Sequence, residues 1–140
     1  MTILDTNVVS ELMSPSRSSQ VVAWISGLRF RDEVCLTTIN VAEILYGIEI
    51  LPKGKRRDGL LSEAEAMFAE DFTGRILPFG EQAARAFAQI AAARRSQGRP
   101  ISEFDAQIAS IARANDAALA TRNTADFEGC GVRLVNPWVD

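Results

Sequence analysis

The fold of this chain is decided by the stretch TILDTNVV, which spans residues 2–9. Thr2 to Leu4 is typical of a short strand, and the next three residues, Asp5 to Asn7, have side chains that favour turns and helix caps. The apolar residues from Val8 onward then have helical spacing, and that helix ends before Ser14-Pro15. A strand, a polar break and a helix in immediate succession indicate the start of an α/β fold.

The rest of the chain repeats this alternation. We predict further strands at 34–37, 75–77, 118–121 and 132–135, and helices at 20–27, 40–50, 60–72, 81–97 and 102–115. Strands that alternate with helices favour a parallel sheet. No linker interrupts the chain, and 140 residues suit one domain. We therefore predict one α/β domain over residues 1–140, with a central parallel sheet flanked by helices in a three-layer sandwich.

The composition excludes several kinds of site. The chain has no histidine and only two cysteines, Cys35 and Cys130, far apart in sequence. Ser-His-Asp and Cys-His nucleophiles, histidine metal sites and four-thiolate zinc sites are therefore excluded. Eighteen Asp and Glu against fifteen Lys and Arg give a net charge of −3 and leave carboxylates as the main candidates. Because we find neither a signal peptide nor a long apolar run, we expect a cytoplasmic protein with no membrane partner.

Four carboxylates are predicted to lie at one edge of the sheet. Asp5 directly follows the first strand, and Asp126 follows a later one. Glu43 and Asp105 fall in the first turns of two predicted helices. In a parallel sheet with right-handed crossovers, these turns lie at the carboxyl ends of the strands, where ligands bind. We therefore expect the four side chains to converge on one rim.

Such a cluster repels itself at neutral pH, so it needs protons or cations. Oxygen ligands without imidazole or thiolate favour Mg²⁺ or Mn²⁺. A divalent cation lowers the pKa of an attacking water and neutralises charge on a phosphodiester. Structural interpretations stay open for each acid: Asn40-x-x-Glu43 and Ser102-x-x-Asp105 fit capping patterns, Asp5 suits a helix cap, and Asp126 suits a turn.

The order and spacing of several short segments carry a family resemblance. These segments are Ile3–Leu12, Val41–Gly47, Gly54–Arg57, Asp105–Ala109, Ala120–Phe127 and Asn136–Trp138. Together they resemble the PIN-domain ribonucleases, specifically the VapC-type toxins of type II toxin–antitoxin pairs in the FitB-like branch. The resemblance implies a Mg²⁺- or Mn²⁺-dependent endoribonuclease. Relatives cut transfer RNA or ribosomal RNA, and we expect tRNA as the substrate here. It also implies a homodimer inhibited by a cognate VapB/FitA-like antitoxin, through which larger assemblies form on operator DNA.

The resemblance also assigns residues. The family's catalytic and metal-binding acids fall on Asp5, Glu43, Asp105 and Asp126, all acidic here, with Asp5 and Asp105 as the most direct metal ligands. Polar positions that support the pocket in the family are occupied by Thr6, Asn7, Thr121 and Asn123. Since some relatives carry an acid where Asn123 stands, we expect Asn123 to position water or substrate. The general base and the number of metal ions stay unassigned.

Basic residues offer a candidate RNA contact. Lys53, Lys55, Arg56 and Arg57 are either a phosphate-binding patch or part of a solvated loop over residues 52–59. Arg94 and Arg95, which with Arg99 suggest a second basic ridge, are better explained as complements to a helix dipole. We expect Phe104 to face the core.

Three other functions deserve comparison. A haloacid-dehalogenase-type phosphatase needs Asp-x-Asp after its first strand, whereas this chain has Asp5-Thr6-Asn7 and no room for a cap domain. A phosphate-accepting receiver domain needs an acidic pair and a late lysine, whereas the only lysines are Lys53 and Lys55. A PIN-like module that binds RNA or protein without nuclease activity stays open, although degenerate acids would favour it and none of the four is degenerate.

Overall fold

The computed structural model describes residues 1–140 and contains one five-stranded sheet. Its strands are β1 (Thr2–Leu4), β2 (Val34–Thr37), β3 (Ile76–Leu77), β4 (Ala118–Ala120) and β5 (Leu134–Val135). All neighbouring strands are parallel, in the order β3-β2-β1-β4-β5. The predicted parallel sheet is confirmed, and the strand order changes direction between β1 and β4.

Six α-helices connect the strands. They are α1 (Thr6–Met13), α2 (Ser19–Leu28), α3 (Thr38–Glu49), α4 (Lys55–Ala66), α5 (Glu81–Ser96) and α6 (Glu103–Ala114). The chain continues α4 as a π-helical segment, Met67–Asp71, and adds a 3₁₀ turn, Thr124–Phe127, after β4. None of the helices combines the length and the apolar character needed to cross a bilayer.

The helices form layers on both faces of the sheet, because successive side chains of a strand point to opposite sides. Leu4 and Leu36 pack into the core cluster that includes buried side chains of α1 to α4. Ile3, Cys35 and Leu119 pack into the other cluster, which contains buried apolar side chains of α5 and α6. All five strand residues are fully buried. The predicted three-layer sandwich is therefore confirmed.

The predicted loop over residues 52–59 is wrong in its second half. Helix α4 begins at Lys55, so three of the four clustered cations lie in its first turn. The backbone conformation of Gly54, with φ of 152°, lets the chain turn into the helix. Lysine and arginine are good helix formers, and Asp58 in the same turn complements the helix dipole.

Two details of the helical predictions are also wrong. Helix α3 begins two residues earlier than predicted, at Thr38, which places Glu43 in its second turn. Phe104 does not face the core: its side chain is 53 % exposed. It lies in the first turn of α6, before the stretch where Ile108, Ile111 and Ala112 pack against the sheet.

Candidate active site

The acidic rim lies where the strand order reverses. Asp5 follows β1 and Thr121 follows the adjacent β4, and the backbone N–H of Asp5 donates to the carbonyl of Ala120 over 2.8 Å. Open parallel sheets bind ligands at such a point, because the connections leave in opposite directions and open a crevice. The location matches the expectation from the sequence.

Asp5 is held rigidly. It is only 5 % exposed, and its Oδ2 accepts hydrogen bonds from Thr121 Oγ1 at 2.7 Å and Asn7 Nδ2 at 3.1 Å. Its Oδ1 accepts from the backbone N–H of Thr6 at 2.9 Å, so Asp5 also caps α1. The capping interpretation and the rim position therefore both hold for this residue.

Glu43 reaches the rim through a polar chain that starts in the core. The predicted Asn40-x-x-Glu43 cap is wrong, because Thr37 caps α3 and forms a reciprocal capping box with Asn40. Asn40, fully buried, then donates from Nδ2 to Thr6 Oγ1 at 3.0 Å, and Thr6 Oγ1 donates to Glu43 Oε1 at 2.9 Å. Sequence reasoning missed Asn40 as a support for Glu43. The signal was the Thr37-x-x-Asn40 pattern at the end of β2.

Asp105 lies between Glu43 and Asp126. It is half-buried in the first turn of α6, where its backbone N–H donates to Oγ of the cap residue Ser102 at 3.2 Å. Asp105 and Glu43 line one depression of about 290 Å³, and Asp105 and Asp126 line another of about 230 Å³. Asp126 is exposed in the 3₁₀ turn after β4.

The electrostatics join the four acids into one cluster. Burial raises the pKa of Asp5, Glu43 and Asp105 from the ordinary value of each carboxyl. The charge of Asp5 further raises the pKa values of Glu43 and Asp105, and the charge of Asp126 raises those of Asp5 and Asp105. Each carboxylate therefore makes ionisation of another one less favourable.

The donor chemistry of this cluster fits a hard divalent cation, since all its ligands are oxygen and a cation would offset their repulsion. The side chains are not arranged as a finished ligand set: no three Asp, Glu or Cys side chains come together closely enough to hold a metal ion. The metal site therefore stays a prediction.

Arg94 binds the backbone of the turn that carries Asp126. Only 4 % exposed, it forms no ion pair with a carboxylate. Its Nη1 donates to the carbonyl oxygens of Asp126 at 2.8 Å and Glu128 at 3.1 Å, and its Nε donates to the carbonyl of Arg99 at 2.7 Å. Interaction with the helix dipole therefore does not fully explain Arg94. Arg95 lies in the same turn and is exposed, so the helix-dipole interpretation stays open for it. The signal in the sequence was the position of Arg94 on the buried face of α5, four residues after Ile90.

The polar residues assigned by resemblance surround Asp5. Thr121 is fully buried, and its Oγ1 accepts hydrogen bonds from Asn7 Nδ2 and from the backbone N–H of Asn123. Asn7 Oδ1 accepts from the backbone N–H of Arg122. The side chain of Asn123 is exposed at the rim. These contacts fix the loop after β4 against the start of α1.

The structure separates the clustered cations. Lys53, Lys55 and Arg56 are exposed, whereas Arg57 Nη2 pairs with Glu49 Oε2 at 2.6 Å. Arg57 Nε is buried without a hydrogen-bond partner. Adjoining surface depressions lead from Glu43 along α1 and Leu60 to Lys55 and Arg56. Lys55 and Arg56 are thus the members of the cluster that face a groove connected to the acids.

Comparisons with known proteins agree with this geometry. The family model of the PIN domain matches residues 2–129. The chain is 39 % identical to Toxin FitB of Neisseria gonorrhoeae, with 100 % of both chains covered. It is 37 % identical to VapC ribonuclease Y4jK of Sinorhizobium fredii, with 99 % of this chain and 98 % of that protein covered. A tRNA(fMet)-specific endonuclease VapC of Shigella flexneri is 31 % identical over 77 % of each chain.

Solved structures show the same relationship in three dimensions. The crystal structure of FitAcB from Neisseria gonorrhoeae superposes with a TM-score of 0.92 at 38 % identity and covers 100 % of both chains. A structure of FitAB bound to an IR36 DNA fragment gives a TM-score of 0.90 at 39 % identity, with 99 % of this chain and 96 % of that chain covered. This chain therefore belongs to the PIN-domain family and, within it, to the VapC-type toxins that include FitB.

Proposed function

We propose that this toxin is a Mg²⁺- or Mn²⁺-dependent endoribonuclease whose site is formed by Asp5, Glu43, Asp105 and Asp126. The observation that carries the proposal is the charge repulsion among these acids at the point where the strand order of the sheet reverses. The chain also matches a VapC ribonuclease over nearly its full length. A divalent cation at such a site supplies activation of water and neutralises charge on the phosphodiester.

The surroundings of the acids suggest different roles for them. Both oxygens of Asp5 are held by three donors, which favours a ligand of fixed orientation. Glu43 has one hydrogen-bonded oxygen and one free oxygen, and its pKa is raised by burial. Burial likewise raises the pKa of Asp105. A general base needs an oxygen that is free to accept a proton, and donors occupy both oxygens of Asp5, so we assign proton acceptance to Glu43 or Asp105.

The proposed substrate is RNA, with tRNA as the favoured class. Support comes from the tRNA(fMet)-specific VapC, which is related over most of this chain. The groove that leads from Glu43 to Lys55 and Arg56 offers phosphate contacts at a distance from the repelling acids. Lys53 is exposed beside them and belongs to the same proposed contact, whereas Arg57 is occupied by Glu49.

The proposed partners are a cognate VapB/FitA-like antitoxin and a second copy of the chain. The FitAB structure bound to DNA supports an antitoxin that carries the toxin to operator DNA. For self-association, α3 presents Tyr46 and its C-cap residue is Ile50, and these residues are 59 % and 68 % exposed. Neighbouring exposed apolar side chains favour a contact surface.

The test is RNA cleavage by the purified protein. We expect it to cut tRNA with Mg²⁺ or Mn²⁺ and to stop when EDTA is added, and we expect expression without antitoxin to arrest growth. Asp5→Asn and Asp105→Asn should abolish cleavage and keep the fold, because Asn caps α1 as well as Asp does and because Ser102, not Asp105, caps α6. Circular dichroism and antitoxin binding serve as controls. Full activity in either variant contradicts the metal site, and the absence of metal-dependent cleavage of any cellular RNA favours a binding module.

A further inference from the structure

An aromatic ring that the core does not use lies beside the acids. Phe104 precedes Asp105 in the first turn of α6 and is 53 % exposed. It shares a depression of about 290 Å³ with Glu43, Ser102, Glu103 and Asp105. The ring is therefore part of the lining of the rim and open to solvent.

The charges around the ring restrict what can lie against it. Glu43 and Asp105 are partly buried, and Glu103 is exposed beside them. This acidic wall repels any phosphate whose charge no bound cation neutralises, and the groove cations Lys55 and Arg56 lie in other depressions. A nucleobase is uncharged and planar, so it can cover the ring without bringing a phosphate against the carboxylates. Single-stranded RNA is commonly bound in this way, with an unpaired base stacked on an aromatic side chain.

We propose that Phe104 stacks against one unpaired base beside the scissile phosphate and thereby positions the RNA at the acids. The inference rests on the proposed ribonuclease function and adds to it a side chain that contacts a base of the substrate. Because every base has a π-face, the contact selects for an unpaired nucleotide more than for a particular base.

The probe is a synthetic RNA stem–loop with the sequence of a tRNA anticodon arm, together with copies that carry one abasic nucleotide at each loop position. Affinity is measured in Mg²⁺ on an Asp5→Asn background, so that the RNA stays intact and the result does not depend on cleavage. Phe104→Ala should weaken binding about five- to tenfold, the lower part of the range for loss of one stacked base. An abasic nucleotide at one loop position should weaken RNA binding by the parent to a similar extent. The same abasic nucleotide should cause no further loss of affinity in Phe104→Ala.

Two variants of the same residue separate stacking from packing. Phe104→Trp should keep the affinity, since it keeps a ring, and Phe104→Leu should lose it although it stays apolar. The matched control is Phe30→Ala, because Phe30 is 94 % exposed in the loop before β2, at the opposite end of the strands. It should bind like the parent.

Three outcomes overturn the proposal. The first is an equal RNA affinity of the parent and Phe104→Ala. The second is a loss of affinity at an abasic position that persists in Phe104→Ala. The third is a change in the molar mass of the Phe104→Ala protein, measured by light scattering. The last result would place Phe104 in a protein interface. Failure of the wild-type protein to cleave RNA is a separate result: it contradicts the proposed nuclease, whereas the abasic comparison still decides whether Phe104 binds a base.

Discussion

Arg94 Nη1 donates a 2.8 Å hydrogen bond to the carbonyl oxygen of Asp126, and so the end of α5 holds the turn that carries the fourth acid. The same guanidinium binds the carbonyl of Arg99, in the loop that leads to Asp105. One buried cation therefore binds the backbone of Asp126 directly and fixes the start of the loop that leads to Asp105. Its charge also opposes the rise in the pKa of Asp105, which is caused mainly by burial and by Asp5.

We predict that Arg94→Lys lowers the free energy of unfolding by about 1.5–3 kcal/mol, the magnitude of hydrogen bonds to charged groups. Lysine keeps the charge but cannot bind all three carbonyls in the same geometry. Urea unfolding measures the change. Arg95→Lys, one residue away and exposed, should stay within about 0.5 kcal/mol of the parent. Equal stabilities of the two variants would show that the carbonyl contacts of Arg94 contribute nothing.

The second prediction concerns pH. The pKa values of Asp5, Glu43 and Asp105 are raised in the folded protein, so the folded state binds protons more readily than the unfolded chain. The resulting stabilisation is complete below the unfolded values, near about 4, and is lost as the pH rises through the raised ones. Without metal, the melting temperature should therefore fall between pH 5 and pH 7.5.

Two comparisons check the cause of this pH effect. Asp105→Asn should melt higher than the parent at pH 7.5 in EDTA, because it removes one repelling charge. Mn²⁺ should raise the melting temperature of the parent at pH 7.5 more than at pH 5, and should raise that of Asp105→Asn less. A parent whose metal-free stability increases from pH 5 to pH 7.5 would refute the proposed repulsion.

The third prediction separates the cations of α4. A double variant, Lys55→Ala with Arg56→Ala, should weaken RNA binding and reduce the slope of log affinity against log salt by about 1.4, or about 0.7 for each lost phosphate contact. Arg57→Ala is the control, since its ion pair with Glu49 occupies Nη2. Lys55 and Arg56 would not form the proposed RNA contact if the double variant kept the slope of the parent. The same conclusion would follow if Arg57→Ala lost as much RNA affinity as the double variant.

The fourth prediction concerns the polar chain from Asn40 through Thr6 to Glu43. Thr6→Val removes the hydroxyl and leaves the buried Asn40 Nδ2 without its acceptor, which should cost about 1–3 kcal/mol of unfolding free energy. Cleavage should also decrease, because Glu43 loses the donor that orients it. Thr6→Ser keeps the hydroxyl and should keep both properties in urea unfolding and cleavage assays. Identical behaviour of the two variants would contradict a supporting role for this chain.

Much of the fold and the rim could be predicted because it depends on local pattern. Each strand and helix has its own periodicity, and alternation of the two types favours a parallel sheet. Asp5 and Asp126 could be placed at the carboxyl edge from their position after strands. Glu43 was placed in the wrong turn, because Asn40-x-x-Glu43 and Thr37-x-x-Asn40 are both plausible caps, and only the second is compatible with the end of β2.

The sequence by itself determined the parallel α/β layers and the edge at which the acids lie, since both follow from the order and periodicity of neighbouring residues. Only the tertiary structure decided that Arg94 is buried and that Phe104 is exposed. Both residues lie on helices, and the exposure of a helical side chain depends on what covers that face. Arg94 is covered by segments that lie 5 to 36 residues further along the chain. It donates hydrogen bonds to their carbonyl oxygens and to the Cys130 thiol. Phe104 lies in the first turn of α6, where more than half of its surface stays uncovered.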